Sequence, residues 1–225
     1  MLRLVSFDLD GTLVDTAGEI AEAVHRTFDD VGLQRRPQEE ITRLIGKGTR
    51  ELLLRLLARI TAEQPALAGT VDTDAVLHRF EHHYAETAGR MGQPFDGCVA
   101  MLETLRAQGL RLACVTNKEQ RHAERVLGAT GLADYFELLV GGDTLPFKKP
   151  DARVFAHVLG HFGVSAAEAV HVGDSAIDVE TARNAGVPAW VLPHGYNAGV
   201  PITEAGPDHL FADLPAVAAH VSAMR

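Results

Sequence analysis

Along the 225 residues, the spacing of apolar positions changes near Asp15 and again near Gln93. Outside that stretch, short apolar runs recur at Leu2 to Phe7, up to Val115, and at Leu138 to Val140, Ala169 to Val172 and Ala189 to Leu192. A brief Leu210-Phe211 follows. Such runs, bounded by turn signals and lacking alternation, suit strands buried on both faces of a parallel sheet. Helical periodicity separates them: a helix to Gln108, then Glu119 to Leu127, Ala152 to Phe162, Ser175 to Ala185 and a last one from Leu214. Strands alternating with helices imply parallel crossovers and an α/β, doubly wound, Rossmann-like sheet. From residue 16 to about Met91 no strand is expected. The helical segments there are Glu19 to Val31, Glu39 to Ile45, Thr49 to Ile60 with its Leu52, Leu53, Leu56 and Leu57 stripe, and Asp74 to Ala88. The chain therefore divides into an α/β core, residues 1–15 and 93–225, and an all-helical insert, residues 16–92.

Four of the strand-like runs end in polar groups. The first runs into Asp8-Leu9-Asp10-Gly11-Thr12. Open α/β sheets bind ligands beyond the carboxyl ends of their strands, and two carboxylates there invite a divalent cation. With the charge offset, one carboxylate can act as nucleophile while the other moves protons. A second reading stands beside it, since Asp is also common in turns and at helix starts. The run to Val115 ends in Thr116-Asn117, a hydroxyl and an amide that can hold an oxyanion. Beyond Val140 and a Gly-rich turn comes Lys148-Lys149-Pro150, a cation that the following proline biases away from helix. The run to Val172 leads into Gly173-Asp174-Ser175-Ala176-Ile177-Asp178, where the carboxylates are candidate metal ligands or their supports.

In this order and spacing, the four segments resemble the motifs of the haloacid dehalogenase superfamily of aspartate-nucleophile phosphohydrolases. The resemblance covers nearly the whole chain and implies that the helical insert is a cap over the site. It implies that Asp8 attacks phosphorus to form an aspartyl phosphate, while Asp10 protonates the leaving oxygen and then activates water. Magnesium would be held by the Asp8 carboxylate, the Asp10 main-chain carbonyl and Asp174, with Asp178 behind them. Thr116 and main-chain amides after the first strand, Gly11 among them, would grip phosphoryl oxygens, and Lys149 would counter the charge. Asn117 is either a further phosphoryl contact or a helix N-cap. A second acid at Asp10 speaks against the dehalogenase-like and phosphonate-cleaving relatives and leaves phosphoester hydrolysis.

Within the superfamily, two details resemble phosphoglycolate phosphatases. One is the run Ile45-Gly46-Lys47-Gly48-Thr49-Arg50-Glu51, like the glycine-containing loop those enzymes present to the site. The other is His194-Gly195-Tyr196-Asn197 together with Gly141 to Pro146. The expected activity is hydrolysis of 2-phosphoglycolate to glycolate and phosphate. Lys47 and Arg50 would read the substrate carboxylate, unless they are simply solvated charges at a helix start. Rival readings are a phosphatase of sugar phosphates, nucleotides or pyrophosphate, a phosphosugar mutase, and a non-catalytic binding module.

Charge and composition narrow the partners. A formal net charge of −9 without a basic run argues against nucleic acid and anionic membrane as partners, leaving a small phosphate monoester. No stretch is apolar for long enough to span a bilayer and no targeting signal is expected, so the cytoplasm is the expected location. Monomer and homodimer both remain open. Cys98 and Cys114 lack metal-like spacing and read as reduced structural thiols. His157 and His161, and His78, His82 and His83, read as helix-face residues because no acid completes a zinc-like set. Trp190 and Tyr84 read as packing residues.

Overall fold

The computed structural model describes residues 1–67 and 69–224. Strand β1 (Leu4–Phe7) leads through a turn to the two-residue β2 (Val14–Asp15). Helices α1 (Ala17–Asp30), α2 (Gln38–Thr42), α3 (Thr49–Glu63) and α4 (Thr73–Thr87) follow, and β3 (Gln93–Pro94) brings the chain back. Then helix and strand alternate: α5 (Cys98–Ala107), β4 (Arg111–Val115), α6 (Gln120–Ala129), β5 (Leu138–Val140), α7 (Arg153–Phe162), β6 (Ala169–Gly173), α8 (Ala176–Asn184), β7 (Ala189–Val191), β8 (His209–Leu210) and α9 (Leu214–Ala223).

The main sheet has six strands in the order β5-β4-β1-β6-β7-β8, and every neighbouring pair is parallel. Strand residues alternate between its two faces. Val5, Phe7, Leu112, Cys114, Val170 and Val172 pack with α5, α6 and α9 in one buried cluster. Leu4, Ala113, Val115 and Ala169 pack with α7 and α8 in the other. Burial on both sides is why these strands are apolar without alternation. Cys98 and Cys114 are free and buried, and burial pushes the Cys98 thiol up to about 12. Among the described residues no helix is long and apolar enough to cross a membrane.

Helices α1 to α4 bury a third cluster, drawn entirely from residues between Ile20 and Ala88. The Leu52, Leu53, Leu56 and Leu57 stripe of α3 lies within it. Asp72 starts α4, its carboxylate accepting from the amides of Asp74 and Ala75. The helical pattern in the sequence hides one element: Val14 and Asp15 pair antiparallel with Pro94 and Gln93, where the chain leaves and re-enters the sheet region. Two residues per strand are too short to leave a periodic signal. Glu19, fully buried on α1, braces this crossing by accepting the amides of Gly89 at 2.9 Å and Gly92 at 3.1 Å.

Leu53 has no exposed surface and sits inside the helical cluster. Leu53→Ala is expected to cost about 2–5 kcal/mol, because the cavity adds to the lost transfer energy. Urea titration measures this, and a loss below about 1 kcal/mol would mean the cluster is not close-packed.

Candidate active site

The strand order places β1 at the centre with β4 and β5 on one side and β6 to β8 on the other. A reversal of this kind opens a crevice at the carboxyl ends of the central strands. The residues expected there arrive one position beyond their strands, still held by the ladder. The Asp8 amide donates to Val172 O at 2.9 Å, and the Thr116 amide to Val140 O at 2.9 Å.

Lys149 projects into the same place from the loop after β5. Its buried ammonium lies 2.6 Å from Asp178 Oδ1 and 3.0 Å from Asp8 Oδ1. Asp178 does two things at once. Its Oδ2 accepts the Ser175 amide at 3.1 Å and the Ser175 hydroxyl at 2.6 Å, closing the capping box that starts α8. Its Oδ1 holds the lysine. Asp174 is fixed by the Thr12 hydroxyl, which donates to Oδ1 at 2.7 Å, and by the Tyr196 amide, which donates to Oδ2 at 2.5 Å. Tyr196 also accepts the amides of Thr16 and Ala17 on its hydroxyl, tying the last loop to the start of α1.

Gly11 sits at φ +85°, and a Cβ on it would lie 2.6 Å from Asp174 Oδ2. The structure corrects its expected role as a phosphoryl donor. Its amide donates to Val14 O at 2.9 Å and so closes the turn that follows Asp10. Asp10 stands apart from the other acids. Its carboxylate accepts Lys118 Nζ at 2.7 and 3.0 Å and the Thr16 hydroxyl at 2.7 Å. Lys118, which the sequence does not single out, has a fully buried side chain and also contacts the Tyr84 hydroxyl from α4. Tyr84 is accordingly buried packing, but with a polar end at the site. The signal for Lys118 is its place next to Thr116-Asn117; only Tyr84 and Asp10, distant in sequence, explain its burial.

A pocket opens here. Asp8, Asp10, Thr116, Asn117 and Lys118 line one side, and Ile20, Ile45, Gly46, Gly48, Thr49 and Leu52 the other. Lys47 and Arg50 are not brought into it. Both are exposed: α3 turns its Thr49, Leu52 and Leu53 face inward, which points Arg50 out, and Lys47 sits in a turn between two positive-φ glycines. Asn117 is not the N-cap of α6, a position held by Glu119; its side-chain amide donates to Gly46 O and Lys149 O, each at 3.0 Å. It thus ties the far wall of the pocket to the lysine loop. Lys148 is exposed and donates to Lys47 O at 2.8 Å. His157 and His161 are exposed on α7, and His83 pairs with Asp30 at 2.9 Å.

Among the described residues, one group of three metal-type side chains clusters: Asp8, Asp174 and Asp178 offer oxygens within 4.8 Å of one another. Three buried carboxylates share one ammonium. Burial, with Asp178 and Asp10 adding repulsion, raises Asp8 to about 6 despite Lys149. Burial and repulsion from Asp178 and Asp8 hold Asp174 well above the usual carboxylate range. Burial also acts on Asp178, but Lys149 and His171 outweigh it and keep that carboxyl below its ordinary value. Asp8 Oδ1 is buried without an aligned hydrogen-bond donor. This donor set fits a hard divalent cation: all oxygen, short of positive charge, with an acceptor left open.

The chain matches the family described as haloacid dehalogenase-like hydrolase over residues 5–192. It is 38% identical over 221 residues to a phosphoglycolate phosphatase of Thiobacillus denitrificans, covering 98% of this chain and 96% of the relative. It is 42% identical over 221 residues to a plasmid phosphoglycolate phosphatase of Cupriavidus necator, covering 98% and 94%. Among solved structures, the crystal structure of a predicted phosphoglycolate phosphatase from Haemophilus somnus superposes with a TM-score of 0.92 at 30% identity, covering 100% of this chain and 98% of that one.

The raised carboxyls fix the sign of a pH effect. A carboxyl held above its ordinary 3.8 contributes stability that is present below that value and is lost as pH rises through the folded value, about 6 for Asp8. Metal-free protein is therefore expected to lose stability between about pH 4 and pH 7 from this site. Magnesium at a hundred times its Kd would return about 2.7 kcal/mol at neutral pH, roughly 5–11 °C in Tm. In Asp174→Asn, Oδ1 can accept from Tyr196 while Nδ2 donates to the Thr12 hydroxyl, so the geometry survives. Metal-free Tm should rise and the magnesium shift should vanish. Thermal melts with and without chelator measure both, and an undiminished magnesium shift in the variant would remove Asp174 from the ligand set.

Proposed function

Because the chain belongs to the haloacid dehalogenase-like hydrolase family, we propose that it is a magnesium-dependent phosphomonoester hydrolase whose substrate is 2-phosphoglycolate. The observation that carries the chemistry is the buried Asp8 carboxylate in the pocket, its Oδ1 3.0 Å from the Lys149 ammonium. Such a group is a nucleophile whose charge is balanced but not consumed. The names of the relatives support the choice of substrate, and so does Lys118, a cation in the lining of the pocket.

In this reading Asp8 forms a bond to phosphorus and the alkoxide of the substrate leaves. Asp10 gives that oxygen a proton, then takes one from the water that cleaves the aspartyl phosphate. Lys118 and Thr16 hold the Asp10 carboxylate in place for both transfers. Thr116 accepts the Lys118 amide at 3.2 Å, which leaves its own proton free for a phosphoryl oxygen. Lys149 offsets negative charge on Asp8 and on the transferred group. Asp8, Asp174 and the Asp10 main-chain carbonyl would hold magnesium, which would supply positive charge to offset that of the phosphoryl group. Asp178, with both oxygens engaged, anchors the lysine. The helices of residues 16–92 act as a cap: Gly46, Gly48, Thr49 and Leu52 wall the pocket opposite Asp8, and Tyr84 reaches Lys118. The start of α3 and Lys118, in place of Lys47 and Arg50, face the substrate carboxylate.

Phosphate release from a panel of monoesters with magnesium tests the reading. Turnover of 2-phosphoglycolate should exceed that of an aryl phosphate at least about tenfold in kcat/KM, since one charge-assisted contact contributes about 1.5–3 kcal/mol. Equal turnover across the panel would keep the phosphatase and remove the substrate; an isomerised sugar phosphate would favour the mutase. Asp8→Asn should retain less than about a hundredth of activity while keeping its fold. Excess chelator should abolish turnover and magnesium restore it; full activity in chelator would remove the metal from the mechanism.

A further inference from the structure

The two central strands carry a polar pair in an apolar layer. Ser6 on β1 lies directly opposite His171 on β6, and both are buried, at 0% and 1% exposure. They sit on the sheet face covered by α7 and α8, among Leu4, Val115 and Val179. Buried polar side chains are costly unless each is bonded, so the partners of this pair are informative. Ser6 Oγ is 3.0 Å from His171 Nδ1 and 3.1 Å from Val170 O. His171 Nε2 is 3.2 Å from Asp178 Oδ1, the oxygen that also takes Lys149 Nζ at 2.6 Å. The Phe155 ring packs edge-on against the imidazole, 5.1 Å between centroids, and limits its tilt. The chain of contacts therefore runs from Ser6 through His171, Asp178 and Lys149 to Asp8.

The direction of each bond follows from chemistry. Asp178 is ionised beside the lysine and only accepts, so Nε2 carries the ring proton. Burial lowers the ring's affinity for a second proton, so Nδ1 is the ring's acceptor. The single Ser6 proton has two acceptors in reach, Val170 O and Nδ1, and donating to Nδ1 satisfies the buried ring nitrogen. Asp178 thereby selects the tautomer, as a partner on one ring nitrogen does for the other, and Ser6 completes the ring's hydrogen bonds.

We propose that Ser6 and His171 are a buried positioning pair that, acting through Asp178, aims the Lys149 ammonium at the Asp8 carboxylate. Ser175 fixes one Asp178 oxygen and His171 the other, so the carboxylate cannot rotate about its bond and carry the lysine away. Neither residue touches substrate. The proposal rests on the phosphatase reading for its kinetic consequence but not for its tautomer.

Two variants at His171 separate positioning from packing. His171→Gln keeps an N–H donor at the end of a side chain of similar reach, whereas His171→Met fills the space without one. Loss of such a supporting contact costs about ten- to a hundredfold. The Met variant should lose that much in kcat with KM moved less than about threefold, and the Gln variant should stay within about threefold of wild type in both. Equal losses in the two variants, or full kcat in the Met variant, would overturn the proposal. Nitrogen-edited NMR of the imidazole reads the pair without turnover and without requiring the Met variant to fold. Wild type should show a protonated Nε2 and a hydrogen-bonded, unprotonated Nδ1, and Ser6→Ala should keep the tautomer while moving the Nδ1 resonance as its donor is lost; the opposite tautomer, or an unmoved Nδ1 resonance in Ser6→Ala, also overturns it. Failure of wild type to hydrolyse any phosphate would sink the phosphatase reading while leaving the tautomer result to decide the pair.

Discussion

One ammonium among three buried carboxylates governs the arrangement of this molecule. Lys149 lies within 3.0 Å of both Asp8 and Asp178, and Asp174 completes the acidic group without a cation of its own. Removing any of these charges from water is costly, and one lysine cannot balance three acids. The surrounding structure supplies what the lysine does not: Thr12, Ser175, Tyr196 and His171 each place a donor on an acid. The remaining deficit is what would make the site receptive to a divalent cation.

The fold delivers these groups by the simplest route available to a parallel sheet. Strands β1, β4 and β6 each end in one useful side chain, and Asp8 and Thr116, the first residues after β1 and β4, keep a ladder hydrogen bond, so the position of the chemistry is inherited from the sheet. The same economy explains Asp178, which starts α8 with one oxygen and holds Lys149 with the other. A substitution there would loosen a helix and a catalytic cation together. On the other side, Lys118 joins Asp10 to Tyr84 of α4, so the helical segment contributes to the polar interior of the site as well as to its walls.

Most of the framework was legible because it is local. Apolar runs gave the strands, 3.6-residue stripes gave the helices, and Asp8, Thr116 and Asp174 announced themselves as polar residues at strand ends, with Lys149 set ahead of a proline in the loop after β5. What escaped is non-local. The β2–β3 ribbon is two residues on each side and pairs segments that only the folded helices bring together. Nothing in the sequence singles out Lys118 until Tyr84 and Asp10 are seen around its buried ammonium. His171 reads as a strand residue until its partners, Ser6 on the neighbouring strand and Asp178 on α8, appear. Gly11 kept its importance and changed its reason, from a donor for substrate to the one residue that fits against Asp174. Arg50 failed to reach the pocket because the phase of α3 follows its leucines and the charge takes the face that remains, and Lys47 because it lies in the exposed turn between Gly46 and Gly48.

The small β2–β3 ribbon also bears on how quickly the chain finds its sheet. Strands β1 and β4 are neighbours in space but about a hundred residues apart in sequence. Once α1 to α4 have condensed on their own cluster, the ribbon clasps the two ends of that segment together, and the stretch that must still close shrinks to about a quarter of its length. Closure entropy changes by about 0.6 kcal/mol for each halving, so the clasp lowers the cost of pairing β1 with β4 by about 1.2 kcal/mol. A helical element that condensed first would thus shorten the search for the β1–β4 pairing, and mutations that loosen Glu19 from Gly89 and Gly92 should then slow folding more than their effect on stability alone would indicate.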